Sequence, residues 1–197
     1  MNCQPAQMTA KKIHLALTEL RNPDIAHHSS QFFKTGHGEY GEGDQFLGIR
    51  VPVLRKKAQE FKNTPLPEIL CILKSGFHEE RLLALFMLVN LFKTGSTEDK
   101  KEIYGLYLDN IKYINNWDLV DSSAGHIIGK YLADKDKQPI YHMTKSKNIW
   151  ERRIAVISTF PMIKAGDFKT TLKVSHLLLK DAEDLIQKAV GWMLREV

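Results

Sequence analysis

Apolar residues recur at intervals of three and four along nearly the whole chain, and this periodicity constrains the fold more than any other feature. Examples are Ile69, Ile72 and Leu73, then Leu82, Leu83, Leu85, Leu88 and Val89, then Ile103, Leu106 and Ile111. That spacing places side chains on one face of a helix. No stretch alternates every second residue between hairpin turns, so strands are not expected and the chain reads as all-α. The pattern predicts eleven helices, over 6–21, 25–34, 52–63, 66–75, 78–94, 98–113, 116–132, 137–145, 148–163, 167–179 and 181–195. Pro23, Pro52, Pro65 and Pro67 stand near starts, Ser96-Thr97-Glu98-Asp99 reads as a capping run, and Gly95 and Gly166 read as stops.

Short helices in such number suggest stacked pairs. The segments EERLLALFML, VDSSAGHIIG, ERRIAVISTF and QKAVGWMLRE place a small residue at Ala84, Ala124, Ala155 and Ala189, at intervals near one helical hairpin. A small residue at a fixed site lets neighbouring helices approach closely. The expected architecture is a curved α-solenoid, a superhelix of HEAT-like helical pairs, forming one domain over 1–197. No Pro/Ser-rich linker divides it, and 43% hydrophobic residues are enough for a sizeable core.

Cys3 and Cys71 cannot make a disulfide framework, and MNCQPAQMTAKK has no apolar core of a signal peptide. The apolar run Leu82 to Leu91 is too short to cross a bilayer. These features point to a reduced, cytoplasmic protein. A net charge of +5 tilts the partner toward an anion, with nucleic acid the leading class and a solubility charge the plain alternative.

One segment departs from helix: TGHGEYGEGDQFLGIR, from Thr35 to Arg50. Gly36, Gly38 and Gly41 match G-x-G-x-x-G in form. No strand precedes them and no helix follows directly, so the dinucleotide reading fails. The eight histidines form no H-x-x-x-H or Cys/His ligand set and no G-x-S-x-G is present, so neither a metal nor a cofactor is implied.

In NNWDLVD, Asn115 or Asn116 would cap a helix whose first turn carries Asp118, an ordinary arrangement for free N–H groups and the helix dipole. Asp121 is different. On a wheel of about 100° per residue it falls about 40° from Trp117, at the border of a stripe formed by Val120, Ala124, Ile127 and Ile128. A carboxylate there is partly desolvated and faces the opening left by Gly125. The same construction holds Arg153 among Trp150, Ile154, Ile157 and Phe160, as a core-edge residue or a fixed guanidinium for a phosphate, and turns Arg152 outward. Trp192 sits between Lys188 and Arg195 at the edge of the Ile186, Ala189, Val190 and Met193 stripe, as a core lid or a groove wall. On equivalent helices of successive repeats, the three placements would line one concave surface.

The stretches FFKTGHGEYGEGDQFLGIRVPVLRK, NNWDLVDSSAGHIIG, WERRIAVIS and QKAVGWMLRE together resemble the AlkD-like DNA alkylation repair family, HEAT-like-repeat DNA glycosylases for alkylated purines. The resemblance runs from Gln31 to Glu196. It implies that Trp117, Asp121, Arg153 and Trp192 are the working residues and that the partner is duplex DNA containing alkylated bases. It also implies handling of the lesion at the duplex surface, without a base-flipping pocket. A duplex-binding solenoid can act as a monomer, and no protein partner is expected. The family's usual extent implies further helix after Val197. Two other readings stay open here: a non-catalytic protein binding damaged or structured DNA, and a protein-binding scaffold.

Backbone contacts are expected from Arg50, Arg55, Lys56 and Lys57, from Lys145, Lys147 and Arg152, and from Lys188 and Arg195. If about six of these reach phosphate, duplex affinity should fall about a thousandfold or more between low and moderate salt, measured as the slope of log K against log salt.

Overall fold

The structure, a computed structural model, describes residues 8–197. The first residues of the helix expected from position 6, and Cys3, lie outside that range. The chain divides into two compact units, the first ending at Leu91 and the second starting at Phe92.

The first unit contains α1 (Ala10–Thr18), α2 (Pro23–Phe32), α3 (Val51–Glu60), α4 (Leu66–Leu73) and most of α5 (His78–Thr94). Asn22 caps α2 by accepting the Ile25 N–H, with Pro23 in the first turn where its missing donor costs nothing. Proline also occupies the first turns of α3 and α4. The glycine-rich segment between α2 and α3 is ordered by the start of α5. The buried Glu79 carboxylate accepts the backbone N–H groups of Leu47, Gly48 and Ile49 at 2.9, 2.7 and 3.2 Å. Asp44 accepts from Arg81 at 2.6 Å and is bonded to His78 at 3.1 Å. Buried loop amides need such partners, and α5 supplies them from one turn. Gly48, at φ +81°, lies so close to the Asn22 carbonyl that a Cβ would stand 2.0 Å from that oxygen.

The second unit contains α6 (Thr97–Asp109), a 3₁₀ turn (Ile111–Tyr113), α7 (Trp117–Asp121), a π-helical turn (Gly125–Gly129) and α8 (Lys130–Leu132). These are followed by α9 (Gln138–Met143), α10 (Ile149–Ile157), α11 (Phe160–Lys164), α12 (Lys169–Leu177) and α13 (Asp184–Arg195). Ser96 and Asp99 form a full capping box at α6. Helix α10 packs against α7, α9, α12 and α13, and from Arg153 to Ile157 every residue is buried. All four repeat alanines, Ala84, Ala124, Ala155 and Ala189, are buried. The expected all-α fold of stacked helices, the α-solenoid construction, is what the structure shows. An isolated bridge between Gln45 and Phe77 takes the place of any named strand among the described residues. No helix among these residues is long and apolar enough to cross a membrane.

Two expected helices are broken, each for a local reason. In the helix expected over 116–132, the Ser122 and Ser123 hydroxyls both bond back to the Leu119 carbonyl, at 3.2 and 2.6 Å. This competes with the helical ladder after Asp121, and the chain resumes in the wider π turn. The helix expected over 148–163 stops at Ile157 because Pro161 has no N–H for the Ile157 carbonyl and its ring crowds that carbonyl.

The breaks face one another. A Cβ at Gly129 would lie 2.2 Å from the Ser158 carbonyl oxygen and 2.7 Å from Pro161 Cγ, whereas one at Gly125 would lie 3.3 Å from the Ile157 carbonyl oxygen. Gly129→Ala should therefore destabilise the protein by about 2 kcal/mol through overpacking. Gly125→Ala should cost much less, since better helix propensity offsets a milder contact. Urea unfolding of both variants checks this, and equal midpoints would contradict it.

Candidate active site

Asn116 caps α7 by accepting the Trp117 N–H at 2.8 Å, and Asp118 Oδ1 accepts the Leu119 N–H at 2.9 Å. Both are helix-start contacts. One turn beyond Trp117, Asp121 ends α7 with its side chain 18% exposed. Arg153, on α10, donates to both oxygens of that carboxylate, from Nε to Oδ1 at 2.8 Å and from Nη2 to Oδ2 at 2.7 Å. Its Nη1 donates to the Leu185 carbonyl on α13. The guanidinium thus ties α7 to α13 through α10, and the parallel fork fixes the orientation of the carboxylate.

Burial pushes the Asp121 carboxyl above the usual aspartate range; the hydrogen bonds and charge of Arg153 pull it back, and Asp118 adds a small push in the same direction as burial. Burial prevails because the pair stands among apolar helices where ionised oxygens lose water.

On its open side Asp121 faces a cavity of about 590 Å³. Trp192, Phe160, Ile157, Pro161 and Met193 supply most of its apolar wall, with Lys130, Lys164 and His126 as the cationic or titratable members. Asp121 is the single carboxylate in this lining. The Phe160 and Trp192 rings are 6.2 Å apart at 43°, and Trp192 Nε1 donates to Glu196 at 3.3 Å. Lys164 Nζ is ion-paired with the same Glu196 and lies 4.9 Å from the Phe160 ring centre. Among the described residues no cluster of three or more His, Cys, Asp or Glu could hold a metal ion.

Of the four residues singled out in the sequence, Asp121 and Trp192 line the cavity, Arg153 stands behind Asp121, and Trp117 lies half-buried one turn away. Phe160, Lys130 and Lys164 were not anticipated. Among the expected backbone contacts, Arg152 is half-buried and bound to Asp181 at 2.7 and 3.2 Å and to the Ser146 and Lys147 carbonyls. Lys188 pairs with Asp184 at 2.6 Å on the exposed face of α13, and Arg195 is exposed. In the first unit Arg50 and Lys56 are exposed, and the Arg55 guanidinium lies 4.3 Å above the Phe86 ring.

A family model described as DNA alkylation repair enzyme matches residues 13–197. A solved structure described as a predicted DNA alkylation repair enzyme from Enterococcus faecalis shares the fold with a TM-score of 0.65 at 21% identity, over 89% of this chain and 82% of that one. No curated protein matches significantly.

Replacing Arg153 by alanine would leave a buried carboxylate without its partner, which should destabilise the protein by about 3 kcal/mol at pH 7. Because burial raises the folded-state pKa of Asp121, this carboxyl's contribution to stability is present below the ordinary aspartate value, about 3.9, and is lost as pH rises through the raised one. Without Arg153 the raised value climbs further, so the deficit of Arg153→Ala should shrink toward acid pH. Denaturant unfolding at pH 7 and pH 4.5 checks this; an equal deficit at both would dissociate the effect from Asp121.

Proposed function

The chain belongs to the DNA alkylation repair enzyme family, and from that premise we propose that it is a DNA glycosylase excising cationic N3- and N7-alkylated purines from duplex DNA. The observation that carries this reading is Asp121: one oriented carboxylate at the wall of an apolar, aromatic cavity.

An N3- or N7-alkylated purine already bears positive charge, so it leaves without a proton from the enzyme. As the bond from the base nitrogen to C1′ breaks, its electron pair returns to the base and neutralises it, while the sugar takes on the positive charge of an oxocarbenium ion. Water then bonds to C1′ and releases its proton to solvent. The chemistry needs a fixed negative charge near C1′.

Asp121 fills that role in its ionised form and orients the incoming water. Trp192 and Phe160 offer cation-favouring ring faces beside the sugar, with Trp117 adjoining from α7. Arg153 acts as a positioning residue, since its guanidinium is buried against Asp121 and the Leu185 carbonyl. The cavity lining contains no amide or hydroxyl side chain with which to read the edge of an extruded base. This supports contact with sugar and backbone rather than with a flipped base. Such a site tolerates bulky alkyl groups and prefers cationic lesions to neutral ones. The reaction needs no cofactor, and a monomer acting on intracellular DNA suffices.

Single-turnover release of 7-methylguanine from a methylated duplex tests the proposal. The wild type should release the base, and Asp121→Asn should lose at least about a hundredfold in rate while duplex binding persists. Good duplex binding with no release by the wild type would overturn the glycosylase reading.

A further inference from the structure

A second cavity of about 470 Å³ lies in the same unit, between the end of α5, the start of α6 and the segment beginning at α8. Lys93, Lys100, Lys130 and Lys135 line it, with Tyr131 in the wall and Asp134 as its single acidic member. Lys135 answers Asp134 at 3.0 Å and lies over the Tyr131 ring. Among the described residues no ion pair holds Lys93, Lys100 or Lys130. Three ammonium groups without an ion-pair partner around one hollow give it a positive potential that attracts an anion.

Lys130 is the residue that gives this hollow a context, because it lines the Asp121 cavity as well. It follows the π turn directly, so its side chain stands where the two hollows meet. An anion in the lysine hollow and a sugar beside Asp121 would have Lys130 as a shared neighbour. Phosphates bonded to successive sugars of a nucleic acid strand have that relation. Tyr131, stacked on Tyr104 with ring centres 4.1 Å apart, gives the hollow a rigid wall.

We propose that the Lys93, Lys100, Lys130 and Lys135 hollow seats backbone phosphate of the DNA strand whose sugar lies at Asp121, with Lys130 as the joint between the two. The inference rests on the glycosylase reading for the sugar's position, and it adds the direction in which that strand leaves the cavity. The contacts are to phosphate alone, so they fix register and carry no sequence preference.

The experiment is duplex binding as a function of salt, with undamaged DNA, for the wild type, Lys93→Ala/Lys100→Ala, and a control that removes the same charge elsewhere, Lys169→Ala/Lys180→Ala. Loss of two phosphate contacts should lower the slope of log K against log salt by about 1.8, and affinity by about tenfold or more at low salt, whatever the sequence of the duplex. The control should keep the wild-type slope. Equal effects of both pairs would mean general charge attraction and would overturn the proposal, as would wild-type behaviour of Lys93→Ala/Lys100→Ala. Titration with inorganic phosphate at constant ionic strength separates a free anion from the strand: saturable phosphate binding lost in Lys93→Ala/Lys100→Ala, with duplex binding unchanged, would also overturn it. Wild-type release of 7-methylguanine is measured alongside; its failure would count against the glycosylase reading, while the salt slopes judge the hollow independently of it.

Discussion

The second unit is organised around one ion pair. Arg153 sits in an otherwise apolar stretch of α10, reaches the carboxylate at the end of α7 with two parallel bonds and holds a carbonyl near the start of α13 with a third. Ions of this kind lose much solvation on burial, and the geometry must restore it almost completely for the fold to tolerate them. Here the fork-to-carboxylate match does so for Arg153, while the partial exposure of Asp121 leaves part of its carboxylate for something else. The tie to α13 matters because α13 carries Trp192 two turns further on. Asp121 and Trp192, which face the same cavity from α7 and α13, thereby share one buried anchor.

The cavity itself exists because helices fail around it. Had α10 run unbroken through Ser158, the carbonyls and rings of Ile157, Phe160 and Pro161 would have followed a straight axis. The proline ends that axis, and the glycines of the π turn, Gly125 and Gly129, let the freed carbonyls close in. Gly125, Ile157, Phe160 and Pro161 are all in the cavity lining. The π turn is the kind of local widening that persists where a site requires it.

Three- and four-residue spacing made the helical class and the buried alanines legible, because burial acts on every turn of every helix and leaves a repeated signal. The same wheel placed Arg153 among apolar neighbours, and the residue is 5% exposed. It could not supply the partner, which comes from a position 32 residues away. Arg152, turned outward on the wheel, is tied down by Asp181 and two loop carbonyls for the same reason. Lys130, Phe160 and Lys164 converge on Asp121 from elements whose breaks the periodicity does not record. A signal was available in part: Pro161 inside a predicted helix, and two glycines four apart in SSAGHIIG, both mark places where backbones bend or meet.

The pairing of Asp121 with Arg153 also addresses a conflict inherent in the proposed reaction. A bare carboxylate strong enough to stabilise a sugar cation would repel the phosphates on both sides of that sugar. Paired with a guanidinium, its field resembles that of a dipole and decays faster with distance than that of a single charge. Within a few ångströms the exposed oxygen edge still presents negative charge to C1′, while at the distance of the flanking phosphates the two charges nearly cancel. Lys130 at the rim, which no ion pair among the described residues compensates, then dominates the longer-range field in the proposed complex, since Lys164 is itself paired with Glu196. In the proposed reaction the buried arginine would therefore do more than hold the carboxylate still: it would confine the attraction for a cation to the neighbourhood of Asp121.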